Sequence, residues 1–241
     1  MCTVSYIPSS NDGSFILTSN RDEKVQRPTF SPEIYNIHDM KVCFPKDALA
    51  GGSWIAANEN GRLCCLLNGA FTPHEKQSLH THSRGKVLTD LVASPLDVMV
   101  FFSLQDLSKT EPFTIITVEI KEKKVIYFTE FIWDGTKKYL KELDQDQSYV
   151  WSSVTLYTDE HRSLRKEWFN SFLSENKSNI SSDKVWSFHS GYHTSDNTVN
   201  LVMFREEGLK TVSITQVTTH SGKFVMNYSD LLENTSHKII I

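Results

Sequence analysis

Residues 2–7, Cys2-Thr3-Val4-Ser5-Tyr6-Ile7, are strand-like, with apolar and polar positions alternating as far as Tyr6, and residues 14–18, with an apolar run at 15–17, are strand-like again. Turn-forming residues fill positions 9–13 between them, which predicts an N-terminal hairpin. Residues 23 to about 50 carry Pro28, Pro32 and Pro45 and read as a long irregular segment. An apolar strand follows over residues 51–57. Asn60-Gly61 marks a tight turn, because both central positions of a type I′ turn need positive φ. Arg62-Leu63-Cys64-Cys65-Leu66-Leu67 is the return strand, ending at Asn68-Gly69. Cys64 and Cys65 are adjacent, so a strand sends them to opposite faces as small buried hydrophobes.

The period then changes to that of helices. Ser83 can cap a helix with Val87, Leu88, Leu91 and Val92 on one face. Ser94-Pro95 opens a second, with Leu96, Met99, Val100 and Leu104 inward. Residues 113–120 and 125–133 form a hairpin, and residues 151–157 form another strand. Thr158-Asp159-Glu160 starts a helix that turns Leu164, Trp168, Phe169, Phe172 and Leu173 inward. Residues 176–184 read as a polar loop after that helix. Residues 199–205, 211–218 and 224–228 read as strands. This order suits an α+β fold in four layers, an αββα sandwich of two mainly antiparallel sheets, with residues 1–241 as a single domain.

Net charge is −4 and is spread along the chain, with no basic stripe for a phosphate backbone, so no nucleic-acid partner is expected. Apolar runs are far too short to span a membrane, and the first residues lack the basic and apolar regions of a secretory signal. The expectation is a cytoplasmic protein whose four cysteines stay reduced; oligomeric state is left open.

Chemistry centres on Cys2. Initiator methionine is normally removed when the second residue is small, and removal leaves an α-amino group on the same residue as the thiol. That amine has an ordinary pKa of about 7.7–8.0, so part of it is neutral at cytosolic pH and can accept the thiol proton. Ser19-Asn20-Arg21-Asp22-Glu23 ends the second strand of the hairpin and would return beside Cys2. A carboxylate there can orient the ammonium, and a guanidinium can hold an anionic group. His74, His80 and His82 lie close in sequence, but no cysteine or carboxylate pattern completes a four-ligand site, so no metal is assigned. The five tryptophans fall in or beside apolar runs and read as core.

Met1-Cys2-Thr3 and Thr18-Ser19-Asn20-Arg21-Asp22-Glu23 resemble the NRDE family, whose animal members are the transport and Golgi organisation protein 2 group. Further matches are Arg27-Pro28, Gly51-Gly52-Ser53-Trp54, Asn58-Glu59-Asn60-Gly61-Arg62, Asn68 and Ser83-Arg84-Gly85. That family is similar to N-terminal nucleophile (Ntn) hydrolases of the choloylglycine hydrolase and penicillin acylase type. The resemblance implies Cys2 as nucleophile, Asp22 as partner of its α-amino group and Asn68 as oxyanion-hole donor. It places Arg21, Asn20, Arg84 and Ser153 as substrate-binding residues. Two departures stand out: Ser19 replaces an arginine of the acylases, and Ser152-Ser153 stands where a second active-site asparagine would fall. The implied partner is a small acyl or amide substrate, with no cofactor. The alternative is a non-catalytic carrier of haem or an apolar acyl ligand, as the association of animal relatives with haem and lipid metabolism suggests.

Overall fold

The computed structural model describes residues 3–8, 14–177 and 179–241. Cys2 and the turn expected at residues 9–13 lie outside the described residues. Strands β1 (Thr3–Pro8) and β2 (Phe15–Lys24) pair antiparallel, as two strand-like runs on either side of turn residues predict. They belong to a six-stranded sheet of order β10-β1-β2-β11-β12-β13, completed by β10 (Tyr149–Ser152), β11 (Leu209–His220), β12 (Lys223–Asp230) and β13 (Thr235–Ile240). The second sheet runs in sequence order from β3 to β9: β3 (Thr29–Ile37), β4 (Met40–Asp47), β5 (Ile55–Asn58), β6 (Arg62–Asn68), β7 (Phe113–Lys121), β8 (Lys124–Trp133) and β9 (Lys138–Glu142).

Both sheets are antiparallel throughout and pack face to face over a core that includes Val4, Leu17, Cys65, Ile116, Phe128 and Val217. Helices α1 (Arg84–Ala93) and α2 (Val98–Leu104) cover the outer face of the seven-stranded sheet through Cys64, Leu88, Val92 and Phe102. Helices α3 (Asp159–Asn176) and α4 (Ser182–Ser190) cover part of the six-stranded sheet through Ile7, Phe169 and Val185. The result is the αββα sandwich. Cys64 and Cys65 separate as their adjacency requires, one to each core.

Several local expectations are corrected. Residues 23–50 are not irregular: β3 and β4 form a hairpin. Their prolines fit because the β3–β4 register breaks between Phe30 and Glu33, where Pro32 sits on an edge strand and Pro45 lies opposite the break. Helix α2 starts at Val98 under an Asp97 cap, with the Met99 N–H donating to the Asp97 carboxylate at 2.7 Å. It buries Val98, Phe101 and Phe102 and leaves Met99, Val100 and Leu104 exposed. Six of its seven residues are apolar, which leaves little periodic signal, and the stacking of Phe102 on Phe131 at 3.4 Å marks the buried side. Residues 153–157 turn rather than continue β10, and residues 199–205 form turns around one isolated bridge. Helix α4 lies partly within the expected polar loop, capped by Ser181.

Close backbone packing holds α1. A Cβ on Gly52 would lie 2.4 Å from the Gly85 carbonyl carbon and 2.6 Å from the Lys86 nitrogen. The Ser53 N–H donates to the Gly85 carbonyl at 3.2 Å. The contact is backbone against backbone, so no side chain can swing away. Gly52→Ala is therefore expected to destabilise the protein by roughly 1–3 kcal/mol, measured as a lower urea midpoint at unchanged slope. An unchanged midpoint would mean that α1 is free to move outward.

Candidate active site

Alternation along β2 divides the Ser-Asn-Arg-Asp-Glu run between two faces. Asn20 and Asp22 point to the helix side, while Arg21 points inward to stack on Trp54, with its guanidinium carbon 4.5 Å from the ring centre. Asp22 is buried and accepts 2.5 Å hydrogen bonds from the Tyr157 hydroxyl and the Thr211 hydroxyl. Thr211 sits where the β11–β2 register shifts, and such irregularities re-aim side chains at strand ends. The ladder of β1 begins here, with Thr3 opposite both Asn20 and Ser152.

Asn68 ends β6 at the rim of two clefts. The first, about 550 Å³, has Leu67, Phe71, Ile132, Val150 and Trp151 among its walls. The second, about 400 Å³, is polar, with Arg21, Arg27, Lys76 and Arg84 facing Glu23 and Glu111. Arg21 and Arg84 thus meet Asn68 along one cleft, whereas Asp22 is buried on the helix side of β2.

Most of these cations are already paired. Arg21 donates to Asp47 at 2.7 Å and to the Thr29 hydroxyl at 3.0 Å. Burial works against the charge of Arg21, and Glu23 and Asp47 offset it. Arg84 reaches Glu111 at 3.2 Å and the Pro112 carbonyl at 3.3 Å; burial likewise opposes its charge and Glu111 supports it.

Asn20 serves the framework, while Ser153 lines the first cleft with its hydroxyl already engaged. The Asn20 amide donates to the carbonyls of His189 and Leu201 at 2.9 and 2.8 Å. The hydroxyl of the buried Ser153 donates to the Asn68 carbonyl at 2.8 Å and meets the Thr155 hydroxyl at 3.0 Å. Asn20 is fully buried behind the residues that line the clefts. The Asn58–Arg62 run is also a brace. Asn58 donates to the Val92 carbonyl, and Arg62 donates to the carbonyls of Leu91, Ser94 and Leu96, which holds the C-terminal end of α1.

Sequence reasoning missed His189, Tyr157, Thr211 and Arg165. His189 is buried against β1 and β2. Because the Asn20 amide nitrogen donates twice, its oxygen must accept, so His189 Nδ1 carries the hydrogen at 2.5 Å. Nε2 is then the acceptor for the Ser5 hydroxyl at 2.7 Å. Only neutral imidazole satisfies this arrangement, and burial pushes its pKa down to about 3. The unfolded chain therefore binds the extra proton first. This contribution to stability is complete above about pH 6.5 and is lost as pH falls towards about 3. Urea titrations should show falling stability across that window, with a flatter profile in His189→Gln; identical slopes would remove His189 as the cause.

Burial pushes the thiols of Cys43, Cys64 and Cys65 up to about 12, so none of these three supplies a thiolate near neutral pH. His74 faces Glu111 at 3.5 Å, and His80 Nδ1 accepts the Gln77 N–H at 3.2 Å. Among the described residues no group of three or more potential ligands could hold a metal ion. No described helix is long and apolar enough to cross a membrane.

A family model described as Transport and Golgi organisation 2 matches residues 1–229. No curated protein sequence matches the chain. Among solved structures, a Caenorhabditis elegans N-acylethanolamine-hydrolyzing acid amidase ortholog is 14% identical with a TM-score of 0.63, covering 89% of this chain and 92% of its own. A conjugated bile acid hydrolase from Clostridium perfringens is 13% identical with a TM-score of 0.58, covering 99% and 92%. Penicillin V acylase from Agrobacterium tumefaciens is 11% identical with a TM-score of 0.54, covering 99% and 86%. These neighbours have the Ntn hydrolase fold, and at such identities the likeness concerns the fold.

Proposed function

The chain belongs to the Transport and Golgi organisation 2 family, and on that premise we propose that it is a cysteine hydrolase of non-peptide amides or related acyl compounds. The observation that carries this reading is the position of Asn68, at the junction of two clefts, one with both apolar and charged walls and one polar, beside the end of the fold where β1 begins. Similarity to an acid amidase, a conjugated bile acid hydrolase and an acylase supports the reaction class.

After removal of Met1, the α-amino group of Cys2 takes the thiol proton and the thiolate adds to the substrate carbonyl. Asn68 donates to the oxygen on which charge develops, and Asp22 orients the amine. Collapse of the adduct expels the protonated leaving group and leaves a thioester on Cys2. Water, deprotonated by the α-amino group, then releases the acid and restores the thiol. The cleft walled by Leu67, Phe71 and Trp151 suits an acyl chain, and the cleft containing Arg21 and Arg84 suits a polar leaving group.

One observation favours a carrier instead. The Ser153 hydroxyl, near the position of the superfamily's second asparagine, is bonded to the Asn68 carbonyl, so it adds no oxyanion donor. A carrier would hold haem or an apolar acyl ligand in the same clefts without turnover. The two readings separate on exposure of Met1-processed protein to an activated fatty-acyl ester. The hydrolase forms an acyl adduct on the N-terminal peptide, detected by mass spectrometry, and then releases it. Reversible binding of the fatty acid with no adduct would overturn the enzyme in favour of the carrier.

A further inference from the structure

We propose that Tyr157 and Arg165 are positioning residues that fix Asp22 relative to the start of β1. The proposal rests on the reading of Asp22 as the partner of the Cys2 α-amino group. Arg165 lies on α3 and is 1% exposed, among the largest fully buried side chains of the protein. Its guanidinium donates to the carbonyls of Val199 at 3.1 Å and Asn200 at 2.5 Å, and to the Thr3 hydroxyl. It also lies over the ring of Tyr157, 3.6 Å from the guanidinium carbon to the ring centre. Among the described residues it forms no ion pair. A buried cation held by neutral groups carries a desolvation cost that an apolar residue of similar size would avoid.

What an apolar residue could not do is join these two places. One planar guanidinium grips Thr3, the first described residue of β1, and lies on the ring whose hydroxyl holds Asp22 at 2.5 Å. The opposite end of the network is closed by Thr211, which holds the other Asp22 oxygen. Arg205 also approaches the Tyr157 ring at 5.1 Å and is fixed by the carbonyls of Leu156 and Thr198. Positive charge beside the ring stabilises the partial negative charge that the phenol oxygen gains as it shares its hydrogen, so it favours donation from the hydroxyl. The spacing between the chain start and the carboxylate thus depends on a rigid fork in the helix layer, in addition to the β1–β2 ladder.

The test measures alkylation of Cys2 by iodoacetamide across pH on Met1-processed protein, read on the N-terminal peptide. The reference is the same chain unfolded in urea. Wild type is expected to react faster than the unfolded chain at neutral pH. Tyr157→Phe, which removes one oxygen and keeps the ring, and Arg165→Lys should each lose roughly tenfold in rate and move the pH midpoint towards the unfolded value. Tyr157→Phe should cost nothing further once Asp22→Asn is present, since coupled residues are non-additive. A residue that only supports the fold would give additive losses and an unmoved midpoint, and that pattern overturns the proposal. Wild-type rates in both variants overturn it as well. If the wild type reacts no faster than its unfolded chain, the nucleophile reading fails and the proposal falls with it. Should Arg165→Lys fail to fold, the Tyr157→Phe cycle with Asp22→Asn decides alone.

Discussion

Cys2→Ala is expected to abolish acyl labelling of the N-terminal peptide completely while the protein remains folded. No other described cysteine can take over, because burial pushes Cys43, Cys64 and Cys65 up to about 12. Folding should survive because the β1 ladder from Thr3 to Pro8, its partners on β2 and β10, and the core residues Val4 and Tyr6 are untouched. The measurement is intact mass after exposure to the acyl ester, with thermal melting as the control for folding. Labelling of Cys2→Ala at the wild-type rate would place the nucleophile elsewhere. Normal cellular function of that variant would favour the carrier.

Asn68→Ala is expected to slow acylation by about 10²–10³-fold with little change in affinity for the apolar ligand. The side chain is offered as a donor to charge that develops only during reaction, so its removal acts on the rate of the chemical step. The backbone should hold, because Asn68 is paired with Phe113 in the β6–β7 ladder and its carbonyl is gripped by Ser153. Rapid-mixing measurement of adduct formation against probe concentration separates the two effects. A loss confined to affinity would reassign Asn68 to ligand binding, and a change of less than about threefold would remove it from the oxyanion role.

The sequence by itself determined the sandwich and marked the residues proposed for the site. The alternation from Thr3 to Tyr6 sets which side chains of β1 enter the inter-sheet core, since a one-residue slip would invert every one of them, and the unbroken apolar run from Leu63 to Leu67 marks a strand buried on both faces. Ser83 and Thr158 mark helix starts because their hydroxyls accept the first free N–H groups, as they do from Lys86 and His161. The hairpin also placed Asp22 and Arg21 near the start of β1, on adjacent and therefore opposite faces.

Tertiary structure decided what no local pattern encodes. The β3–β4 hairpin survives its prolines because they meet at one register break. Helix α2 is apolar at every position but Ser103, and the Phe102–Phe131 stack identifies its buried side. Arg165 and His189 look like surface residues of polar helices, yet both are buried because carbonyls, hydroxyls and a ring distant in sequence converge on them. Asn20, a motif residue, and Ser153, expected at the substrate, both spend donors on backbone carbonyls distant in sequence. The physical reason is common to all of these. Periodicity reports how often a residue faces the core, whereas partnership of a buried polar group depends on which distant backbone atoms the packed layers bring within about 3 Å.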